Sequence, residues 1–408
     1  MSTVPAKKTI FIESVGCAEN IIDGAILKNI AVLHGLERVK DPSKADLIVF
    51  NTCAFKQKQE DLCVDKIKKY QQIKKKGAEV IVCGCLTEIN TEKLKSVFDG
   101  VHFSPRNLDR FYGLIDPNHP QKVEEVHHIL REDAESQMFG VRSYIEKIYD
   151  LKRFFKNRFH LNILPNFNIF DYIGDENTLY VRISRGCLNQ CGYCAIRFAQ
   201  GPLVSQPMEA IVRTIEKGVA EGYKKVFLIG TNTSHYGKDI GTDFFTLLEK
   251  VLKIQGDFKI IIHNFEPHGI EEAPERFLEN VSSPKILSFY FPLNSGSQFI
   301  LNRMRRGYDI ESVMSTLRRL REKNRKVLIR SEFIVGYPGE KWKHFSQSLG
   351  QIMRFPFSRI DLHMYSPRPK IQALELDGQV PFFARYLRFI IIHCLVFFRV
   401  DLKKLRPI

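Results

Sequence analysis

The sequence predicts an α/β protein in which an N-terminal parallel-sheet α/β domain is followed by a partial (β/α)6 barrel. Three observations carry that prediction. Short apolar runs alternate with helix-period segments over the first hundred residues, and the same alternation returns with greater regularity from Leu179. At 408 residues the chain holds material for two or three units rather than one.

The first apolar run is Thr9-Ile-Phe-Ile-Glu-Ser-Val, followed by a helical pattern from Ile21 to His34 that stops at Gly35. Ala45-Asp-Leu-Ile-Val-Phe is the next strand. A charged helix from about Gln59 to Lys76 stops at Gly77 and gives way to the strand Ala78–Cys83. This βαβ succession implies parallel strands covered by helices, in a domain spanning 7–105.

Residues 106–175 break the rhythm and read as a basic linker. It contains Tyr149-Asp-Leu-Lys-Arg-Phe-Phe-Lys-Asn-Arg-Phe-His160, whose aromatics among Lys and Arg suit either base stacking or an amphipathic helix. From 176 to 370 six strands are expected, at Leu179–Ile183, Lys225–Ile229, Lys259–Ile262, Ile286–Phe291, Val327–Arg330 and Arg359–His363. In a barrel of this kind the loops after the strand C-termini carry the chemistry. The tail, 371–408, is short, basic and apolar. Its run Phe389–Phe398 is far below the roughly 20 residues needed to span a bilayer, so a buried or interfacial helix is expected.

Composition narrows the function classes. With 44% hydrophobic and 26% charged residues, the chain has the balance of a soluble globular protein, not a disordered or membrane one. Its start lacks the apolar stretch of a secretory signal, which predicts a cytoplasmic protein with no membrane attachment. Nine cysteines in that compartment point to metal or catalysis, because thiols there stay reduced. Formal net charge is +15, enough to attract a polyanion such as RNA, although an inert basic surface would show the same count.

Cys187, Cys191 and Cys194 follow the first barrel strand, where three thiolates on one loop hold three corners of a [4Fe–4S] cluster. The fourth iron is then open to S-adenosylmethionine (SAM), whose sulfonium one electron splits to a 5′-deoxyadenosyl radical. The rival is a zinc site, which asks for a fourth nearby Cys or His, and His235 is the nearest downstream.

Ile183-Ser-Arg-Gly-Cys187-Leu-Asn-Gln-Cys191-Gly-Tyr-Cys194-Ala-Ile resembles the signature of the methylthiotransferase family of radical SAM enzymes. Leu228–Asn232, Pro292–Ser297, Arg303–Tyr308, Phe333–Glu340 and Tyr365–Pro369 fall in that family's order. The N-terminal strands end in Ser14-Val-Gly-Cys17, Asn51-Thr-Cys53 and Gly84-Cys85-Leu, as in the family's own N-terminal domain. Loops at the carboxyl ends of parallel strands share one rim, so these three distant cysteines are expected as ligands of a second cluster. Cys83 competes with Cys85 for the third place, and the resemblance favours Cys85. Cys63 and Cys394 are read as core or inert.

The resemblance also suggests how SAM is held. Gly336 would allow close backbone approach, and Ser295 with Ser297 would offer hydroxyls. Asn232, Asn294, Arg330 and Glu332 would make polar contacts, with loop closure as the alternative for the Gly-rich turns. It implies two [4Fe–4S] clusters facing one cavity, SAM both as methyl donor and as radical source, and an electron donor such as flavodoxin or ferredoxin.

The family's substrates are an adenosine beside the tRNA anticodon and an aspartate of a ribosomal protein. Tyr365-Ser-Pro-Arg-Pro resembles the tRNA branches, whereas Thr233-Ser-His-Tyr-Gly resembles the ribosomal-protein branch, and net charge favours tRNA. Three departures stand out. No strand-rich C-terminal barrel (TRAM domain) is expected after Pro369, Asn294 stands where the family has Gln, and Gly230-Thr-Asn replaces Gly-Gln-Asn.

Overall fold

Leu47–Thr52 is buried along its whole length, and a strand of that kind needs helices on both faces of its sheet. The computed structural model describes residues 8–115 and 177–401. Residues 8–115 with 195–201 cluster as one unit, and 177–194 with 202–401 as another. The tail of the linker, including the basic aromatic run 149–160, lies outside the described residues.

The first unit holds a five-stranded parallel sheet in the order β2-β1-β3-β4-β5. Its strands are β1 (Thr9–Ser14), β2 (Glu37–Arg38), β3 (Leu47–Thr52), β4 (Glu79–Gly84) and β5 (His102–Phe103). Helix α1 (Ala18–Leu33) starts three residues before the sequence pattern, at the N-cap Cys17, because buried Glu19 and Asn20 turn polar groups into the strand-end network rather than to water. Helix α2 (Gln57–Ile73) ends short of the expected Lys76, since Lys74 already has extended ψ and Gly77 carries a positive φ of 83°.

The second unit is an open seven-stranded sheet ordered β12-β11-β10-β9-β8-β6-β7. Six strands run parallel: β6 (Thr178–Arg185), β8 (Lys225–Gly230), β9 (Lys259–Ile262), β10 (Ile286–Asn294), β11 (Leu328–Val335) and β12 (Arg359–Met364). The short strand β7 (Val204–Ser205) adds antiparallel to β6, an addition the alternation did not foresee because two residues carry no period. Helices α3 (Met208–Ala220), α4 (Phe244–Lys253), α5 (Pro274–Val281), α6 (Ile310–Lys323) and α7 (Trp342–Arg354) intervene.

The period-two rule sorts the barrel strands cleanly. Leu179, Val181 and Ile183 of β6, Val226 and Leu228 of β8, and Phe289 and Phe291 of β10 belong to the apolar core beneath the helices. The alternate residues face the barrel interior, and they are aromatic or charged: Tyr180, Arg182, Phe227, Tyr290, Arg330, Glu332, Asp361 and His363.

Helix α8 (Phe382–Val396) lies in the tail and packs on β12 and β11. It buries Arg388, Ile392 and Val396 yet leaves Phe382, Phe383, Tyr386, Leu387 and Ile390 exposed. Within the expected run 389–398, Ile392 and Val396 join the apolar core while Ile390 and Phe398 stay exposed, so the helix is half-buried, and Cys394 is exposed rather than core.

Candidate metal centres

In the first unit β1, β3 and β4 are adjacent in the sheet, so their C-terminal ends lie side by side and carry Cys17, Cys53 and Cys85. Asn20 ties these ends together. Its Nδ2 donates to Val15 O (2.7 Å) and Thr52 O (2.8 Å), and the Cys85 thiol donates to its Oδ1 (3.7 Å). Gly16, at φ 117°, is needed for close approach, since a Cβ there would stand 2.8 Å from Cys53 Sγ.

The three thiols feel one another. Burial, then Glu19, then Cys53 push the Cys17 thiol up to about 12, although the residue itself is open to solvent at the rim. Burial raises Cys85 well above its ordinary value, with Cys53 and Cys17 adding to the effect. Cys83 is fully buried opposite Asn51, and after burial its thiol responds to Asp23 rather than to this trio. Cys63 braces Cys53 from α2, accepting from Cys53 N (3.4 Å) and donating to Cys53 O (3.2 Å).

In the second unit the loop after β6 carries Cys187, Cys191 and Cys194. Each of the first two sulfurs is met by donors. Asn189 N (3.3 Å) and Asn232 Nδ2 (3.6 Å) donate to Cys187 Sγ, and Arg306 Nη1 donates to Cys191 Sγ (3.7 Å). His235 Nδ1 lies 3.9 Å from Cys187 Sγ and accepts from Leu188 N (3.3 Å). Burial drops the His235 pKa to about 4, so the ring is neutral near pH 7.

Among the described residues no three His, Cys, Asp or Glu side chains converge on a single ion. In the first trio the thiols are near enough to affect one another's ionisation, and in the second Cys191 acts on Cys187, which fits ligands of one cluster. Donors aimed at sulfur fit thiolate ligands for the same reason.

The residues expected to hold SAM divide into two groups. Asn232 sits beside Cys187, with its Oδ1 capping Ser234 N (3.1 Å). Asn294 ends β10 at φ 63°, accepts from Tyr193 OH (2.8 Å) and donates to Glu332 Oε1 (2.9 Å). Arg330 lies over the Tyr290 ring (5.6 Å) with Nη2 3.8 Å from Asp361. These three line the barrel interior or its mouth.

Ser295 and Gly336 are not brought to that group. The Ser295 hydroxyl lies against Ser348 Oγ (3.4 Å) and accepts from Ser297 N (3.2 Å), which closes the turn onto α7. Gly336, at φ 78°, makes room for Arg385 of α8, whose Cγ would stand 2.3 Å from an added Cβ. Loop packing accounts for both.

Around Glu332, which the sequence offered as a polar contact, the structure gathers side chains that sequence reasoning missed. Glu332 accepts from Tyr290 OH (2.6 Å) and stands 3.2 Å from His363 Nε2. Burial opposes its charge, yet His363, Tyr290 and Asn294 bring its pKa down to about 2. The rings of Tyr180, Phe227, His263 and Tyr290 form a ladder across four strands, closing with His263 stacked on Tyr290 at 4.5 Å and 9°. Arg306 is 5% exposed and pairs with Glu266 (3.2 Å) while donating to Pro292 O (2.7 Å). The period-two face of each strand was the available signal for Tyr290 and His363, and the run Arg303–Tyr308 for Arg306.

Comparison with known proteins gives two family matches: the radical SAM superfamily over residues 181–352, and one described as uncharacterized protein family UPF0004 over 9–104. A "probable threonylcarbamoyladenosine tRNA methylthiotransferase" of Pyrococcus abyssi is 31% identical over 363 residues, covering 88% of this chain and 77% of that protein. A tRNA-2-methylthio-N(6)-dimethylallyladenosine synthase of Helicobacter pylori is 30% identical, covering 91% and 79%. The ribosomal protein uS12 methylthiotransferase RimO of Chlamydia pneumoniae is 27% identical, covering 91% and 75%. Among solved structures the radical SAM methyltransferase TsrM of Kitasatospora setae aligns with a TM-score of 0.58 at 11% identity, over 90% of this chain and 77% of that one, a likeness of fold.

Proposed function

We propose, from the premise that the chain belongs to the methylthiotransferase family of radical SAM enzymes, that it joins sulfur and a methyl group to C2 of a modified adenosine beside a tRNA anticodon. The single observation that carries this reading is the pair of thiol trios, one at the ends of three strands of the first unit and one on the loop after β6, in a chain that is 31% identical to a relative named for tRNA. The basic balance, +15, supports RNA.

A [4Fe–4S] cluster and SAM come with the family. Cys187, Cys191 and Cys194 would hold that cluster, and Cys17, Cys53 and Cys85 a second one on the sulfur side. When bound, the first cluster supplies the electron that splits SAM to the 5′-deoxyadenosyl radical. The chain's own residues prepare the site. Asn189 N–H and Asn232 hold the Cys187 sulfur, and Arg306 holds that of Cys191. Glu332 keeps its charge at neutral pH and fixes the Tyr290 hydroxyl, so it offers an anionic acceptor inside the barrel to hydroxyl or ammonium groups. Asn232, Asn294 and Arg330 would contact SAM from the same interior.

Deleting the gene and weighing total tRNA nucleosides tests the substrate. Loss of a 2-methylthio adenosine is expected, and an unchanged nucleoside set with a changed mass for a ribosomal protein would move the reading to the ribosomal-protein branch.

A further inference from the structure

Three helices beyond the strand C-termini of the second unit share two properties. They are Gln298–Arg303 after β10, α7 after β11, and α8 after β12. None contains an Asp or a Glu, while between them they carry Arg303, Lys343, Arg354, Arg385 and Arg388. They also expose large rings: Phe299 is 49% exposed, Trp342 52%, Phe382 62%, Phe383 75% and Tyr386 49%. A chain folding only for itself would turn those rings inward and the guanidiniums out. On α8 the reverse holds, with Arg388 buried against Glu340 (2.8 Å).

Rings and cations pair on and between these helices. Arg388 lies over Trp342 (5.1 Å), Arg385 over Phe382 (5.9 Å) and Arg303 over Phe299 (5.9 Å). Phe382 stacks on Tyr386, and Phe299 on His344. The patch also adjoins the cysteine loop. Gly192, between Cys191 and Cys194, donates its N–H to Met304 O (2.9 Å), and Tyr337 OH donates to Arg303 O (3.1 Å).

Arg303 is paired with Asp377 and Arg388 with Glu340, so the cations open to a polyanion are Arg385, Lys341 and Lys343, beside exposed rings that suit unstacked bases. Stacking tolerates any base, and the cations follow the phosphates. Lys341 and Lys343 flank Trp342, whereas protein interfaces are depleted in Lys. We propose that this patch is a stacking platform for single-stranded RNA, which brings an unpaired loop to the mouth of the barrel. It rests on the RNA reading of the function and deepens it, by naming where the loop is gripped.

The test is fluorescence anisotropy of the full-length, cluster-loaded protein with a labelled RNA stem-loop, and with the same stem closed into a blunt duplex. The wild type is expected to bind the stem-loop more tightly, and Trp342→Ala and Phe383→Ala each to weaken it by about 5- to 100-fold with iron content unchanged. Trp342→Phe, which keeps a ring, is expected to restore most of the binding and so separates stacking from loss of fold. Equal stem-loop affinity in all variants would overturn the platform, as would a wild type that dimerises through this face and dissociates on Phe383→Ala without any change in RNA affinity. Neither result touches the nucleoside masses, which judge the function separately.

Discussion

Arg306 reaches the cysteine loop at the Cys191 sulfur. Burial disfavours its charge, but Tyr193, Glu266 and Cys191 hold its proton more firmly than usual. A cationic donor to a ligand sulfur stabilises the more negative, reduced cluster. Arg306→Gln is therefore expected to make reduction harder, by about tenfold in the equilibrium or roughly 59 mV for one electron. Glu266→Gln, which removes the compensating anion, is expected to shift it the other way; spectroelectrochemistry reads both, and shifts of the same sign would contradict the assignment. Glu332 gives a pH prediction at the same scale. Its folded pKa of about 2 lies below the ordinary 4.5, so its stabilisation is complete above 4.5 and is lost as pH falls towards 2. The stability gap between wild type and Glu332→Gln, at most about 3 kcal/mol, is expected to narrow across that window in urea titrations. A gap independent of pH would show that the carboxylate is not held ionised.

Elements explain why part of the site was legible and part was not. The parallel order and the strands that end before Cys17, Cys53, Cys85 and Cys187 follow from period, because strand ends of one sheet share a rim, whereas the choice of Cys85 over Cys83 came from the family resemblance. Side-chain direction within loops does not follow from spacing. Ser295 and Gly336 looked like cofactor contacts, yet one turns to α7 and the other admits Arg385. The lumen tetrad of Tyr290, Glu332, Asn294 and His363 draws on three strands distant in sequence, so only their register brings it into view. Gly84 shows how tightly a strand end is set. At φ 92° it lies beside Asn51 and Thr52, and a Cβ would stand 2.4 Å from Thr52 O. Gly84→Ala is expected to cost about 1–3 kcal/mol and to displace Cys85, lowering iron content while SAM cleavage at the other trio persists. Full iron content in that variant would count against Cys85 as a ligand.

At the scale of the whole molecule, one unit carries Cys17, Cys53 and Cys85 at the ends of three parallel strands, the other carries Cys187, Cys191 and Cys194 on the loop after β6, and family relatives span most of the chain. Among the described residues no helix is long and apolar enough to cross a membrane. The surplus of basic residues belongs to this scale as well, since its attraction to RNA is collective and weakens with salt. The most direct test of the account is a single anaerobic turnover experiment. The reconstituted protein is given SAM, a reductant, a sulfur source and tRNA bearing an N6-modified adenosine, and the products are weighed. The expected products are 5′-deoxyadenosine together with a 2-methylthio adenosine in the tRNA, with loss of the second alone when Cys17, Cys53 or Cys85 is replaced by Ala. An intact, reducible cluster that yields no 5′-deoxyadenosine and leaves the tRNA unchanged would contradict it.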